Sequence, residues 1–151
     1  MGLTEASREL SHVPTKRGML AAVTEIVETL RQSLASRREV LLAILFGSQA
    51  RGTAREESDV DVAILAPGAD LTRLEADLDH ALGRDVQLVS LEATSLPLLH
   101  AIVRDGIVVY RRRPIDEARW RAHALAELDT DWPAWERMRD AFLARLAEGP
   151  V

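Results

Sequence analysis

The sequence has no cysteine, few aromatic residues and no long apolar run. Without cysteine there can be no disulfide, thiolate zinc site, iron–sulfur cluster or cysteine nucleophile. The longest apolar run, Val40–Phe46, is far shorter than the ~20 residues of a membrane-spanning helix. Basic residues are outnumbered, 19 Lys and Arg against 24 Asp and Glu, so the net charge is −5. Because Met1–Gly18 has no apolar segment, no secretory signal is expected. These absences predict a cytoplasmic protein with no membrane or direct nucleic-acid contact.

The chain of 151 residues has the length of one compact domain. Residues 1–17 contain few large apolar side chains, and we expect them to form an N-terminal arm. Residues 18–151 are expected to form a single domain. Its sheet core spans about 18–113 and its C-terminal helices span about 114–148.

Short apolar runs alternate with segments of helical periodicity along the chain. The strand patterns are Val40–Phe46, Asp59–Leu65, Asp85–Leu91 and Ile107–Tyr110. Asp70 and Gly83 are suited to begin and end the helix between the second and third strands. Pro133 predicts a break after the first C-terminal helix. The pattern therefore indicates an α/β (α+β) fold, with a sheet of about four strands, flanking helices and a C-terminal helical hairpin.

A small, polar segment after the first strand carries the chemistry. Gly47 and Ser48 end the strand, and ten residues later Asp59 and Asp61 enter the next strand. Glycine lets a ligand approach the backbone, and a serine hydroxyl beside free N–H groups suits a phosphate. Residues two apart on a strand share a face, so the two carboxylates would lie side by side. Such a pair favours a bound cation, and Mg²⁺ is commonly held by one or two carboxylates plus substrate phosphates. The segment predicts a site for a metal and a nucleoside triphosphate.

The Gly-Ser, ten-residue, Asp-x-Asp pattern resembles the signature of the polymerase-β-like nucleotidyltransferases. The chain is most similar to their minimal, MNT-type members, the MntA antitoxins of HepT–MntA toxin–antitoxin modules, over roughly residues 20–148. The resemblance implies a nucleotidyltransferase fold with a small mixed sheet, and Mg²⁺-dependent transfer of AMP from ATP. It implies that the acceptor is a tyrosine of a HEPN-type toxin, so that a hetero-oligomer with a HepT-like partner is expected.

The resemblance also assigns roles to residues. Gly47 and Ser48 would hold the triphosphate, with Arg51 near its phosphates, and Asp59 and Asp61 would be the catalytic, metal-binding pair. Members of the family usually carry a third carboxylate on the next core strand, where this chain has Gln87. An amide neither neutralises Mg²⁺ nor accepts a proton as a carboxylate does.

Asp85 is a further candidate metal ligand. It lies two residues before Gln87 on the same strand face, about 6.5 Å away along the strand. Because of that distance, Asp85 could replace a carboxylate at position 87 only if the strand or the attacking group shifted.

Two other functions stay open at this point. Without the third carboxylate, the chain could be a weak or inactive member that neutralises its partner by binding. A small-molecule nucleotidyltransferase is ranked lower, because few residues follow the predicted sheet to form a substrate-binding domain. A polymerase or tRNA-end-adding role is weaker still, since no basic RNA-binding module is present.

Overall fold

The computed structural model describes residues 15–150 of the chain. Most of the predicted N-terminal arm, residues 1–14, lies outside the described residues, and Lys16 and Arg17 already belong to the first helix. The elements, in chain order, are α1 (Lys16–Ala35), β1 (Leu42–Phe46), α2 (Gly47–Arg51), β2 (Val60–Leu65), α3 (Leu71–Leu82), β3 (Val86–Ser90), α4 (Leu96–Asp105), β4 (Ile107–Arg111) and α5 (Pro114–Ala147).

The four strands form one mixed sheet in the order β3-β2-β1-β4. Strand β1 is antiparallel to both β2 and β4, whereas β2 and β3 are parallel. A parallel pair needs a crossover, and α3 provides it between β2 and β3. The small mixed sheet flanked by helices confirms the predicted fold class.

Each face of the sheet is covered by helices. Alternate residues of β2 point to opposite faces, as expected for a strand buried on both sides. Val60, Val62 and Ile64 join the core formed with α1 and α3, whereas Ala63 joins the core formed with α4 and α5. By the same alternation, Asp61 points to the α4 face.

Local sequence signals account for the helix ends near the sheet. The Asp70 carboxylate accepts a hydrogen bond from the Arg73 backbone N–H at 3.2 Å, which caps the start of α3. Gly83 ends that helix with a positive φ of 62°. The Ser95 hydroxyl caps α4 by accepting from the Leu98 N–H at 3.4 Å. The boundaries at Asp70 and Gly83 follow the predicted ones.

The predicted C-terminal hairpin is wrong, because α5 is one continuous helix of 34 residues with Pro133 inside it. An internal proline removes one backbone hydrogen bond and costs about 3 kcal/mol or more, which is why a break was expected. Tertiary packing opposes the break at this point. The Trp132 ring stacks on His100 of α4 with ring centroids 3.9 Å apart, and on Trp135 at 4.8 Å.

The last turns of α5 extend beyond the body of the domain. At 1.5 Å per residue this helix is about 51 Å long, much longer than the strands of five or six residues. Apolar residues in this part of the helix are exposed: Met138 is 71 % exposed, Phe142 57 % and Leu146 61 %. Across residues 15–150, no helix combines the length and apolar character needed to cross a bilayer.

Candidate functional site

The structure brings Gly47, Asp59 and Asp61 together at one end of the sheet. Asp61 pairs with Phe46 across the β1–β2 ladder, so the next residue, Gly47, lies against the Asp61 side chain. Gly47 has a φ of 72°, and a Cβ at this position would overlap Asp61 Oδ2 and lie 3.3 Å from Asp61 Cγ. Glycine is therefore required here twice, by its backbone conformation and by the neighbouring carboxylate.

Gln87 lies beside the two aspartates. In the parallel β2–β3 pair it is the register partner of Asp61, and its Nε2 donates a hydrogen bond to Asp59 Oδ2 at 3.1 Å. The exposed amide of Gln87 thus occupies the place on the α4 face where a third carboxylate would adjoin the pair. It satisfies one lone pair of Asp59 without supplying charge.

The electrostatics of the pair favour a cation. Burial of the half-buried Asp61 raises the pKa of its carboxyl, and the neighbouring charge of Asp59 raises it further. The guanidinium of Arg51 acts in the opposite direction and lowers this pKa. Two crowded carboxylates, one of them resisting ionisation, have the donor chemistry that a hard divalent cation prefers, so Mg²⁺ fits the residues present.

Arg51 and Ser48 lie on α2, which directly follows β1. The positive charge of Arg51 acts to lower the pKa of Asp61 and also that of Asp105, the last residue of α4. The pKa of Asp105 is lowered, first by a hydrogen bond from Arg104 and to a smaller extent by Arg51. Within residues 15–150, Arg51 forms no ion pair of its own, which leaves its guanidinium available to an anion.

Asp85 is not brought into this group. It precedes β3, its side chain is exposed, and its backbone carbonyl accepts a hydrogen bond from the Val60 N–H at 2.9 Å. In the described part of the chain, no cluster of three or more His, Asp or Glu side chains could hold a metal ion. The carboxylates that the structure gathers are Asp59 and Asp61.

Sequence reasoning overlooked Gln49, the residue after Ser48. Its side chain is 3 % exposed and belongs to the few buried polar groups of the described chain. A signal was present, because a five-residue helix wedged between two strands must turn one side inwards, and position 49 is the polar residue on that side. Asp105 was also missed, since only the packing of α4 against α2 places it near Arg51.

Both the sequence and the fold of this chain are similar to those of known proteins. The model of the family described as "Polymerase beta, Nucleotidyltransferase" matches residues 28–115. A relative described as "Protein adenylyltransferase MntA", from Shewanella oneidensis, is 33 % identical over 97 residues, which are 62 % of this chain and 68 % of the relative.

Solved structures show the same architecture. A toxin–antitoxin crystal structure with AMP-PNP is similar with a TM-score of 0.63 and 25 % identity, covering 80 % of this chain and 98 % of that one. A tri-AMPylated Shewanella oneidensis HEPN toxin in complex with MNT antitoxin aligns with a TM-score of 0.56 and 22 % identity, over 85 % and 98 % of the two chains. At that identity the second likeness concerns the fold alone.

Proposed function

Because this chain belongs to the polymerase beta nucleotidyltransferase family, we propose that it transfers AMP from ATP to a protein hydroxyl group. The proposed acceptor is a tyrosine of a HEPN-type toxin, and the chain would act as the antitoxin. Two similar proteins support this choice: one is described as a protein adenylyltransferase, the other as a toxin–antitoxin with AMP-PNP. The observation that carries the proposal is that the Asp61 carboxylate lies against Gly47 and beside the charge of Asp59.

Each residue of the site has a proposed task. Asp59 and Asp61 would hold Mg²⁺, which when bound neutralises the triphosphate and makes the α-phosphorus a better target. Gly47 and Ser48 would hold the triphosphate, because the missing Cβ leaves the backbone N–H groups open beside the carboxylates. Arg51 would balance charge on the phosphates from the α4 side.

The position of Gln87 supports a second candidate function. Its amide donates to Asp59 and cannot take the proton that an attacking hydroxyl must lose. With this substitution, nucleotide and metal can still bind while transfer is slow or absent. The chain would then neutralise its partner by forming a complex, without modifying it.

One experiment separates the two functions. The purified chain is incubated with α-labelled ATP, Mg²⁺ and a HepT-type HEPN protein, and label on the partner is measured together with complex formation. If the chain transfers AMP, the wild type should label the partner. Asp59→Asn and Asp61→Asn should not label it, although their circular dichroism spectra should show that the fold is retained. Asp129→Asn, on an exposed part of α5, is the matched control and should transfer normally.

The remaining outcomes decide against transfer or against the site. A complex that forms without label favours neutralisation by binding. Label that persists at the wild-type level in both aspartate variants contradicts the proposed site.

A further inference from the structure

A cavity lies on the other side of the sheet from Asp59 and Asp61. It measures about 550 Å³ and opens between the first turns of α1 and the segment that joins α2 to β2. Such a volume is within the usual range for small-molecule sites. Its lining residues include Met19, Val23, Gln49, Arg55, Glu56 and Arg84. Val23 packs with the core on the α1 face, whereas Asp61 points to the α4 face, so the cavity and the acidic pair are on opposite sides of the sheet.

Gln49 is the feature that points to a ligand. Gln49 is only 3 % exposed, yet its Nε2 has no hydrogen-bond partner among residues 15–150. Buried polar groups in native proteins are nearly always paired, because leaving a donor unpaired is costly. Gln49 lines the cavity, and a turn of its amide toward that space would let an acceptor atom of a bound molecule satisfy this donor.

The charged groups around the cavity favour an anion. Arg55 makes no ion pair with any residue that the structure describes, and Arg84 donates to the backbone carbonyl of Glu56. The first turn of α1 carries Lys16 and Arg17 and no acidic residue. In a chain with a net charge of −5, this local excess of cations is distinctive. Glu56 is the acidic side chain among the residues that line the cavity.

Part of the cavity wall is apolar. Met19, Ala22 and Val23, which lie within about one turn of each other on α1, line the cavity together with Gln49 and the loop. A flat apolar ring system would pack on such a wall while its edge met the amide. The expected ligand therefore has a flat apolar face, a hydrogen-bond acceptor at the edge of its ring and an anionic end.

We propose that this cavity binds a nucleoside monophosphate without a divalent metal. A ring nitrogen of the base accepts from Gln49 Nε2, and the base packs on Met19 and Val23. The phosphate is held by Arg55 and Arg84, whose guanidinium groups suit its geometry. The Glu56 carboxylate accepts hydrogen bonds from ribose hydroxyls. This site does not depend on the proposed transfer activity, since none of these residues belongs to the acidic pair.

The two sites share structure, so the second one can influence the first. Gln49 follows Ser48 on α2, and the loop that carries Arg55 leads through Ser58 to Asp59. The Ser58 hydroxyl accepts from the Arg55 backbone N–H at 2.7 Å, and the Ser58 N–H donates to the Arg55 carbonyl at 3.0 Å. Occupancy of the cavity would therefore stabilise the segment that presents Asp59.

The test is calorimetric titration of the full chain with AMP in the presence of EDTA. The wild type is expected to bind saturably, and Gln49→Leu and Arg84→Ala to bind at least about tenfold more weakly. Leucine has a similar volume and no unpaired donor, so Gln49→Leu should melt no lower than the wild type. Arg145→Ala, at the exposed end of α5, is the matched arginine control and should bind normally.

Further arms separate this cavity from the catalytic site and from simple phosphate binding. The double variant Asp59→Asn/Asp61→Asn should bind AMP in EDTA as the wild type does. Loss of binding in that variant, or its survival in Gln49→Leu, would place AMP elsewhere and overturn the proposal. Absence of saturable binding would also overturn it, as would inorganic phosphate binding as tightly as AMP, because the base would then contribute nothing.

Discussion

Replacing Gln87 by glutamate tests the electrostatic account of the candidate site most directly. The substitution keeps the length of the side chain and exchanges the amide Nε2, which lies 3.1 Å from Asp59 Oδ2, for a carboxylate oxygen. A favourable hydrogen bond is thereby replaced by repulsion between like charges. The same change creates the third carboxylate that the site lacks.

The size of the effect follows from the distance. Two unit charges 3.1 Å apart repel by about 1 kcal/mol at the dielectric constant of water and by about 5 kcal/mol at an effective value of ~20. Gln87 is exposed and Asp59 half-buried, so solvent screens the pair and the lower figure applies. For a chain of this length, about 1 kcal/mol lowers Tm by roughly 2–4 °C.

The assay is thermal unfolding near neutral pH, first in EDTA and then with Mg²⁺ and ATP. In EDTA the Gln87→Glu variant should melt roughly 2–4 °C below the wild type. With Mg²⁺ and ATP its Tm should rise by more than that of the wild type, because a third carboxylate strengthens cation binding to the folded state. Gln32→Glu, an exposed position on α1, makes the same chemical change away from the site and should leave both values unchanged.

Two results would refute the reasoning. An unchanged Tm in EDTA would mean that residue 87 and Asp59 do not meet. A lowered Tm that Mg²⁺ and ATP do not recover would mean that the three side chains do not share a cation. Gln87→Asp extends the test to turnover: it should raise AMP transfer if position 87 is the vacant carboxylate position.

Two further predictions concern the backbone and the pH dependence of the site. Gly47→Ala should destabilise the domain by more than Gly83→Ala. Both positions have positive φ and incur about 1–2 kcal/mol, but only at position 47 does the new methyl group meet Asp61. Equal losses in chemical denaturation would show that the carboxylate does not lie there. The second prediction concerns pH. Because the pKa of Asp61 is raised in the folded state, the folded protein holds the Asp61 proton more tightly than the unfolded chain does. Stability therefore falls as the pH rises through that pKa. Asp61→Asn should therefore melt above the wild type at about pH 7 in EDTA, with the difference vanishing near pH 3.5. A difference that does not change with pH would contradict this account.

Part of the candidate site could be predicted from local patterns. The spacing from Ser48 to Asp59 can be read directly from the sequence. Strand geometry alone then places Asp59 and Asp61 on the same face. The identity of residue 87 was readable as well, because β3 is a short apolar strand whose register with β2 follows from the family resemblance. The contact between Gln87 and Asp59 was not readable, since it depends on how two side chains meet across the parallel pair.

The C-terminal helix shows why local rules failed elsewhere. Pro133 is a strong breaker by its own chemistry, and no local feature announces that Trp132 will stack on His100. Met138, Phe142 and Leu146 have the spacing of one side of a helix, and the structure has all three in α5. Periodicity shows that a helix has an apolar side; whether the same chain covers that side is decided by where the helix lies.

The sequence by itself determined what depends on neighbours along the chain: the four strands, the caps at Asp70 and Ser95, the glycine bend and the paired acids. These depend on backbone sterics, hydrogen bonds within a few residues and the two-residue repeat of a strand. Only the tertiary structure decided the strand order, the continuity of α5, the partner of Gln87 and the burial of Gln49. Those features arise from contacts between distant segments, whose free energies outweigh local preferences and leave no periodic trace in the sequence.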